Sequence, residues 1–326
     1  FVTEASSEHP DINEDSLIFT ENDFGIFDGM GGGGGRDSKG NKKQNGHLAA
    51  HVAGEAVRAH LAHFNPKSGQ DSTKRFMAET LKAGGQAIQL TKGLSNLGEQ
   101  YDGYINHADM DSTGTIVKIH EGQAYIAGVG DTRCYIVRDG KYIHIRLDDI
   151  DPTLTNKPSD EAINKMQRTL SEIKHLSDID KLPLTSTQKD IYRTSFIHRN
   201  KTMGLEYYAN SPIEELLPQV KVVTLQKGDR IVIMSDGVSD NATETDMLKI
   251  LGQYSDPMEA SMRLTEHATG ISKMSKADNV RAKIDDMTVA IKDYEPTQVE
   301  KTPFYQYEPL SVLRSDGAIQ AGWQVV

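Results

Sequence analysis

Apolar positions in this chain fall into short runs whose period changes along its length. Ser16-Leu17-Ile18-Phe19-Thr20 and Phe24-Gly25-Ile26-Phe27 flank the polar turn Glu21-Asn22-Asp23, the pattern of two paired strands. Past a glycine-rich stretch from Gly31 to Gly35 and a polar loop to Gly46, the spacing turns helical. Leu48, Val52, Val57, Leu61 and Phe64 mark one helix; Met77, Leu81 and Ile88 mark a second. From Ser112 onward, runs of branched and aromatic residues return at 115–119, 124–127 and 134–137. Asp139-Gly140 suits a tight hairpin turn, with 141–145 as its return strand. Connections this short predict antiparallel pairing rather than crossovers through helices.

Residues from about 148 to 204 are polar, helical in part (160–175) and poor in strand signal, and read as an insertion over the sheet. Strands resume at 220–225 and 230–234. Two helices come next, one opening at Thr243 with Asp246 placed as in a capping box, the other at Pro257. A last strand spans 287–291, and the tail from Glu295 has no clear period. The pattern predicts an α+β protein in which mainly antiparallel sheets are covered by helices. Residues 1–294 then form one domain and 295–326 a tail.

Composition narrows the classes. The 326 residues are 37% hydrophobic, enough for a substantial core, and carry a formal charge of −11. No basic excess exists to displace counterions from a nucleic acid. No apolar run approaches the length of a membrane span, and no signal-peptide pattern opens the chain. A single cysteine, Cys134, excludes an internal disulfide and fits a reducing compartment. The expectation is a cytoplasmic monomer, with secretion into another cell left open.

The chemistry lies where the strands end. Phe24-Gly25-Ile26-Phe27 stops at Asp28-Gly29, and the run from Tyr125 stops at Asp131. The run from Ile231 stops at Asp236-Gly237, with Asp240 four positions on. Asp285-Asp286 precedes the final strand, and Asn13-Glu14-Asp15 precedes the first. A lone Asp-Gly is usually only a turn. Several acids brought to one edge of a sandwich could not coexist without counter-cations. Oxygen ligands without histidine or thiolate suit Mg²⁺ or Mn²⁺. Two such ions bridged by one carboxylate generate hydroxide at neutral pH and clamp an in-line displacement at phosphorus.

The order of these motifs resembles that of the metal-dependent protein phosphatases of the 2C type. The matching segments are Asn13-Glu14-Asp15-Ser16, Phe27-Asp28-Gly29-Met30-Gly31-Gly32, Ser112-Thr113-Gly114-Thr115, Gly128-Val129-Gly130-Asp131-Thr132-Arg133, Ser235-Asp236-Gly237-Val238-Ser239-Asp240 and Asp285-Asp286-Met287-Thr288-Val289. The resemblance implies a four-layer α-β-β-α sandwich with a binuclear Mn²⁺/Mg²⁺ centre. It further implies a phosphoprotein substrate carrying phosphoserine or phosphothreonine, attacked in line by hydroxide without a phosphoenzyme intermediate. Asp28 would bridge the metals, and Asp236 and Asp285 would complete one ion. Glu14 and the Gly29 carbonyl would serve the other, with Asp15 holding a bound water. Asp131 and Asp240, with Asp236, match a third, weaker site in some members. On this reading Asp28, Asp15 and Asp236 are the catalytic set, and the insertion is the family's flap.

The chain departs from the family pattern in places. Pro10, beside His9, stands where many members carry a phosphate-binding arginine, leaving Arg36 and Arg133 as substitutes. Met30 stands where many carry histidine as general acid. Asp285-Asp286 replaces Asp-Asn, and Asp285 is preferred to the upstream Asp278-Asn279, which no strand run follows. A glycine run satisfies a dinucleotide fingerprint almost automatically, so Gly29 to Gly34 carry little weight as one. His47 with His51, and His60 with His63, lack a third zinc ligand. Cys134 sits mid-strand as a core residue. The alternative from another class is a pseudophosphatase that keeps the fold as a binding module.

Overall fold

Strand runs that are apolar on both faces must be covered on both sides, and the chain solves this with two stacked sheets. The computed structural model describes residues 1–7, 13–30, 45–102, 110–146, 160–197, 203–296, 307–313 and 319–325. The strands β1 (Val2–Glu4), β2 (Asp15–Phe19) and β3 (Asp23–Met30) lead into helices α1 (Asn45–Leu61) and α2 (Gln70–Asp102). Then come β4 (Asp111–His120), β5 (Gln123–Val129), β6 (Arg133–Arg138) and β7 (Lys141–Arg146). The insertion holds α3 (Asp160–Leu170) and α4 (Ser186–Ile197), and the short α5 (Ile213–Leu216) follows it. After β8 (Val220–Thr224) and β9 (Arg230–Met234) come α6 (Asp236–Ser239), α7 (Glu244–Gln253), α8 (Pro257–Ser272) and β10 (Met287–Asp293).

One sheet has the order β2-β3-β4-β5-β8 and the other β1-β10-β9-β6-β7, and every neighbouring pair in both is antiparallel. Alternation along the strands builds three cores. Ile126 and Ile136 point between the sheets with Phe24, Val117, Cys134, Ile231 and Ile233. Tyr125, Ala127 and Val129 face outward onto α1 and α2, meeting Val57, Met77 and Leu81. Tyr135, Val232, Met234 and Val289 face the other way onto α7 and α8, meeting Met247 and Leu264. The four-layer α-β-β-α architecture read from the sequence is present.

Details differ from that reading. The expected meander does not stay in one sheet: between β5 and β6 the chain crosses from one sheet to the other at Gly130-Asp131-Thr132. The three-residue strand β1, too short to carry a period, pairs with β10. In the tail, where the sequence shows no clear period, β11 (Tyr307–Leu313) and β12 (Ile319–Val325) form a hairpin within a separate compact unit, residues 295–326. The turn at Asp139-Gly140 forms as expected, both residues having positive φ (50° and 70°). Thr243 caps α7 by accepting the Asp246 N–H, and Asp256 caps α8 one residue before Pro257. Within the insertion Met166, Leu170, Ile173, Ile179 and Phe196 make a small core of their own. None of the described helices is long and apolar enough to cross a membrane.

One buried acid ties the amino-terminal segment to the sandwich. Asp286, 3% exposed, accepts the Ser6 N–H on Oδ1 and the Glu14 N–H on Oδ2, each at 2.6 Å. Hydrogen bonds to a charged group contribute about 1.5–3 kcal/mol each. Asp286→Ala is therefore expected to lower the unfolding free energy by about 2–4 kcal/mol in urea melts, with the Ser6 and Glu14 amides losing exchange protection. Unchanged protection at both amides would show that the segment is held by other contacts.

Candidate metal centre

Antiparallel pairing decides where the acids go. The start of β2 lies beside the end of β3, so Asp15 is the cross-strand partner of Asp28. Two strands further across that sheet, β5 runs the same way as β3 and ends just before Asp131. In the facing sheet β9 is antiparallel to both β6 and β10. Its end at Asp236 therefore lies beside the start of β10, just after Asp285. The outcome is one acidic edge: carboxylate oxygens of Asp28, Asp131 and Asp236 all lie within 4.8 Å of one another. Asp131, Asp236 and Asp240 are nearly buried, at 8%, 7% and 4% exposure.

Hydroxyls, a glycine and a buried arginine fix this edge. Ser235 Oγ donates to Asp15 Oδ2 at 2.8 Å and accepts the Thr288 N–H at 3.0 Å, joining the two sheets next to the acids. Ser112 Oγ donates to the Asp28 carbonyl at 2.9 Å. Thr113 and Thr132 share a hydroxyl hydrogen bond of 2.8 Å, and Thr115 Oγ1 donates to the Thr132 carbonyl at 2.7 Å. Arg146 Nη1 donates to that carbonyl too, at 2.7 Å, and to the Gly130 carbonyl at 3.3 Å. Together these contacts clamp the crossing that carries Asp131. A side chain at Gly237 would strike the Asp286 carbonyl at 1.9 Å, so only glycine lets α6 approach β10 so closely.

The electrostatics demand cations. Two unit charges about 5 Å apart repel by roughly 3 kcal/mol at an effective dielectric of 20. Three such pairs would cost roughly 10 kcal/mol, comparable to the whole stability of a domain. Burial first, and then Asp236, Asp15, Asp285 and Asp131, push the Asp28 carboxyl well above the ordinary range. Burial likewise pushes Asp15 well up, against the hydrogen bonds it accepts. Asp236 is pushed up to about 7 by burial, with Lys283 opposing the shift and Asp285 and Asp240 adding to it. The Lys283 ammonium sits among these acids, ion-paired to Asp236 and 2.7 Å from Asp285. Burial would lower its pKa, but the surrounding carboxylates outweigh that and hold it well above its usual value.

The residues fit divalent ions. Asp15 Oδ1 and Asp236 Oδ1 are buried oxygens without a hydrogen-bond partner, an arrangement costly unless a cation meets them. A Cβ on Gly29 would lie 2.3 Å from the Gly46 carbonyl oxygen and 2.8 Å from that of Glu14. A Cβ on Gly46 would in turn lie 3.1 Å from the Glu14 carboxyl carbon. Glu14, Gly29 and the start of α1 thus make a crowded oxygen-rich corner beside Asp28. All donors are oxygens, the set that hard cations such as Mg²⁺ and Mn²⁺ prefer.

Other sequence candidates lie elsewhere. Asp278 is taken up in a local turn, accepting from Ser275 Oγ at 2.6 Å, whereas Asp285 adjoins the acid cluster. Arg133 is buried on β6, where its charge counters the upward shift of Glu244. His9, Pro10, Arg36 and the run Gly31–Gly35 fall outside the described residues. His47 Nδ1 bonds the Asn13 carbonyl at 2.6 Å, and His60 Nδ1 bonds Thr80 Oγ1 at 2.9 Å. Cys134 is buried between the sheets with its thiol pushed up to about 12 by burial, unsuited to act as a nucleophile. Sequence reasoning missed Lys283 and the clamping role of Asp286. A basic residue two positions before the candidate ligand Asp285 was the signal for the first.

Comparison with known proteins places the chain in a family. A family model described as protein phosphatase 2C matches residues 18–276. The serine/threonine protein phosphatase PstP of Mycobacterium tuberculosis is 24% identical over 286 residues, or 88% of this chain, which spans 44% of that protein's length. A putative protein phosphatase 2C-type from Streptococcus pyogenes serotype M6 is 25% identical over 258 residues, covering 78% of this chain and 84% of its own. Among solved structures, the M. tuberculosis PstP/Ppp phosphatase superposes with a TM-score of 0.61 at 21% identity, covering 90% of this chain and 97% of that one. A PstP catalytic domain in complex with two manganese ions gives 0.58 at 20% identity, covering 90% and 95%. At such identities the structural likeness speaks for the fold, while the family model spans most of the sequence. The chain belongs to the protein phosphatase 2C family.

Proposed function

We propose that this chain is a phosphoprotein phosphatase acting on phosphoserine or phosphothreonine through two Mn²⁺ or Mg²⁺ ions. The observation that carries the reading is the meeting of Asp28, Asp131 and Asp236, from two different sheets, within 4.8 Å. When bound, such a pair of ions supplies Lewis acidity that activates water and offsets the charge of the phosphoester. Asp28, with carboxylate oxygens of Asp131 and Asp236 within 4.8 Å, would be the ligand shared by the two ions. Asp236 and Asp285 would hold one ion, and Glu14 and the Gly29 carbonyl the other. Asp15, fixed by the Ser235 hydroxyl, orients water and takes up a proton beside Asp28. Because the attacking group is water, the chain needs no nucleophilic side chain, in keeping with the inert Cys134. A binding module without metals fits less well, because nothing in recognition alone would require so many buried like charges.

On this reading Asp28→Ala and Asp236→Ala each lower turnover of a phosphothreonine peptide by about 10²–10³-fold or more, each removing an anchor of the transition-state charge. EDTA abolishes activity and added Mn²⁺ restores it. Wild-type turnover in either variant, or full activity after exhaustive dialysis against EDTA, would overturn the assignment.

Protons compete with the ions for the same oxygens, so pH separates the two ligands. Asp15, Asp28 and Asp236 have raised pKa values in the folded chain, so that chain holds more protons than the unfolded one above about pH 4. In EDTA, stability is therefore expected to fall as pH rises from 5 to 8, by about 1.4 kcal/mol per pH unit for each proton released. Mn²⁺ affinity, which needs the ionised carboxylates, should rise over the same interval. Melting temperatures in EDTA and Mn²⁺ titrations across this range test both; a flat EDTA profile would contradict the electrostatic account.

A further inference from the structure

Lys283 and a divalent ion are drawn to the same carboxylates. Asp236 belongs to the trio whose oxygens meet within 4.8 Å, and the Lys283 ammonium is paired with its Oδ2. The same Nζ lies 2.7 Å from Asp285 Oδ2, so it stands between the two acids that would hold one ion. Asp240 Oδ2 is the next carboxylate oxygen out, at 3.7 Å. The backbone of this lysine is fixed. Asn241, 1% exposed, donates from Nδ2 to the Lys283 carbonyl at 2.8 Å and accepts the Lys283 N–H on Oδ1 at 3.0 Å. The same Nδ2 donates to the Gly237 carbonyl at 2.7 Å, so one amide aligns the lysine with α6. The side chain is not fixed in this way. Its four-carbon stem is flexible, its ammonium hydrates strongly, and at 18% exposure it has a path to water.

We propose that Lys283 is a built-in competitor for one metal position, its ammonium standing between Asp236 and Asp285 until a divalent ion displaces it. The inference rests on the two-ion reading above and adds an inequality to it: the ion on Asp236 and Asp285 binds more weakly than it would without the lysine. An ion drawn to both carboxylates would meet the ammonium at close range in a partly desolvated site, where like charges repel strongly. The lysine therefore leaves, still charged, by rotation of its side chain toward Asp240 or water. Because Asn241 keeps the backbone in place, the exchange need not move Asp285 two residues on. The acids are countered by a cation in either state, so the chain tolerates metal-free conditions and loads this position according to metal concentration.

The test is calorimetric titration of Mn²⁺ into the full chain, stripped with EDTA and dialysed free of it, at one fixed pH. Lys283→Met is expected to tighten one of the two binding steps by about 10–100-fold, the scale of a charge-assisted hydrogen bond no longer competed for. Lys283→Arg, which keeps the charge, is expected to leave that step weak. In EDTA the thermal midpoint of Lys283→Met is expected to fall below that of wild type, because the acids lose their ammonium. Unchanged or weaker Mn²⁺ binding by a folded Lys283→Met would overturn the proposal, as would equal tightening in Lys283→Arg. No Mn²⁺ bound by either wild type or Lys283→Met would instead overturn the two-ion reading itself. Should Lys283→Met fail to fold, Lys283→Gln gives the neutral comparison, and crystals of wild type grown with Mn²⁺ decide the matter unaided. There Nζ is expected to have left both acids; an ion on Asp236 with Nζ still bonded to Asp236 and Asp285 would refute the idea.

Discussion

Backbone pairing, not side-chain attraction, brings the acids of this protein together. Ladder hydrogen bonds hold Asp15 across from Asp28, and the reversal of β9 against β10 holds Asp236 near Asp285. Each carboxylate alone would move away from its neighbours. The sheets do not let it. The resulting repulsion rivals the stability of a domain and is relieved by protonation or by bound cations. The charge-based features described above follow from that: the raised pKa values, the unpartnered oxygens and the lysine among the acids.

The sandwich is what makes such a concentration of charge tolerable. Three apolar layers, one between the sheets and one under each pair of helices, fix the strands from both faces. Neutral hydroxyls and one buried arginine then fasten the loops at the acidic end. Thr113, Thr115, Thr132 and Arg146 all converge on the segment that crosses between the sheets. In this chain Thr113, Thr115, Thr132 and Arg146 therefore hold the crossing that carries Asp131 in place.

Much of this was legible in the residues before any coordinates. Runs of apolar residues on both strand faces announced buried sheets, and acids at the ends of those runs announced a site. Asp28, Asp131, Asp236 and Asp285 meet because strand ends are where antiparallel topology gathers residues. What stayed hidden depends on contacts distant in the chain. Three residues at Val2–Glu4 have no periodicity to show, and only pairing with β10 makes them a strand. The tail strands pair solely with each other. Asp286 looked like a duplicate of its neighbour, yet it binds backbone amides 272 and 280 residues away. Lys283 drew no reading, because nothing local reveals the Asn241 side chain that holds its backbone N–H and carbonyl.

The cross-strand match of Asp15 with Asp28 has a consequence for how this centre could drift or fail. Side chains on a strand alternate faces with a period of two, so sliding β2 by a single residue against β3 would turn Asp15 to the opposite side. The hairpin at residues 20–23, with the Thr20 N–H on the Asp23 carbonyl at 2.7 Å, sets that alignment from the far end of the strands. One residue added to this small bend could leave the hydrophobic layers folded and still turn the Asp15 carboxylate away from Asp28. Length, rather than identity, is what the bend must preserve.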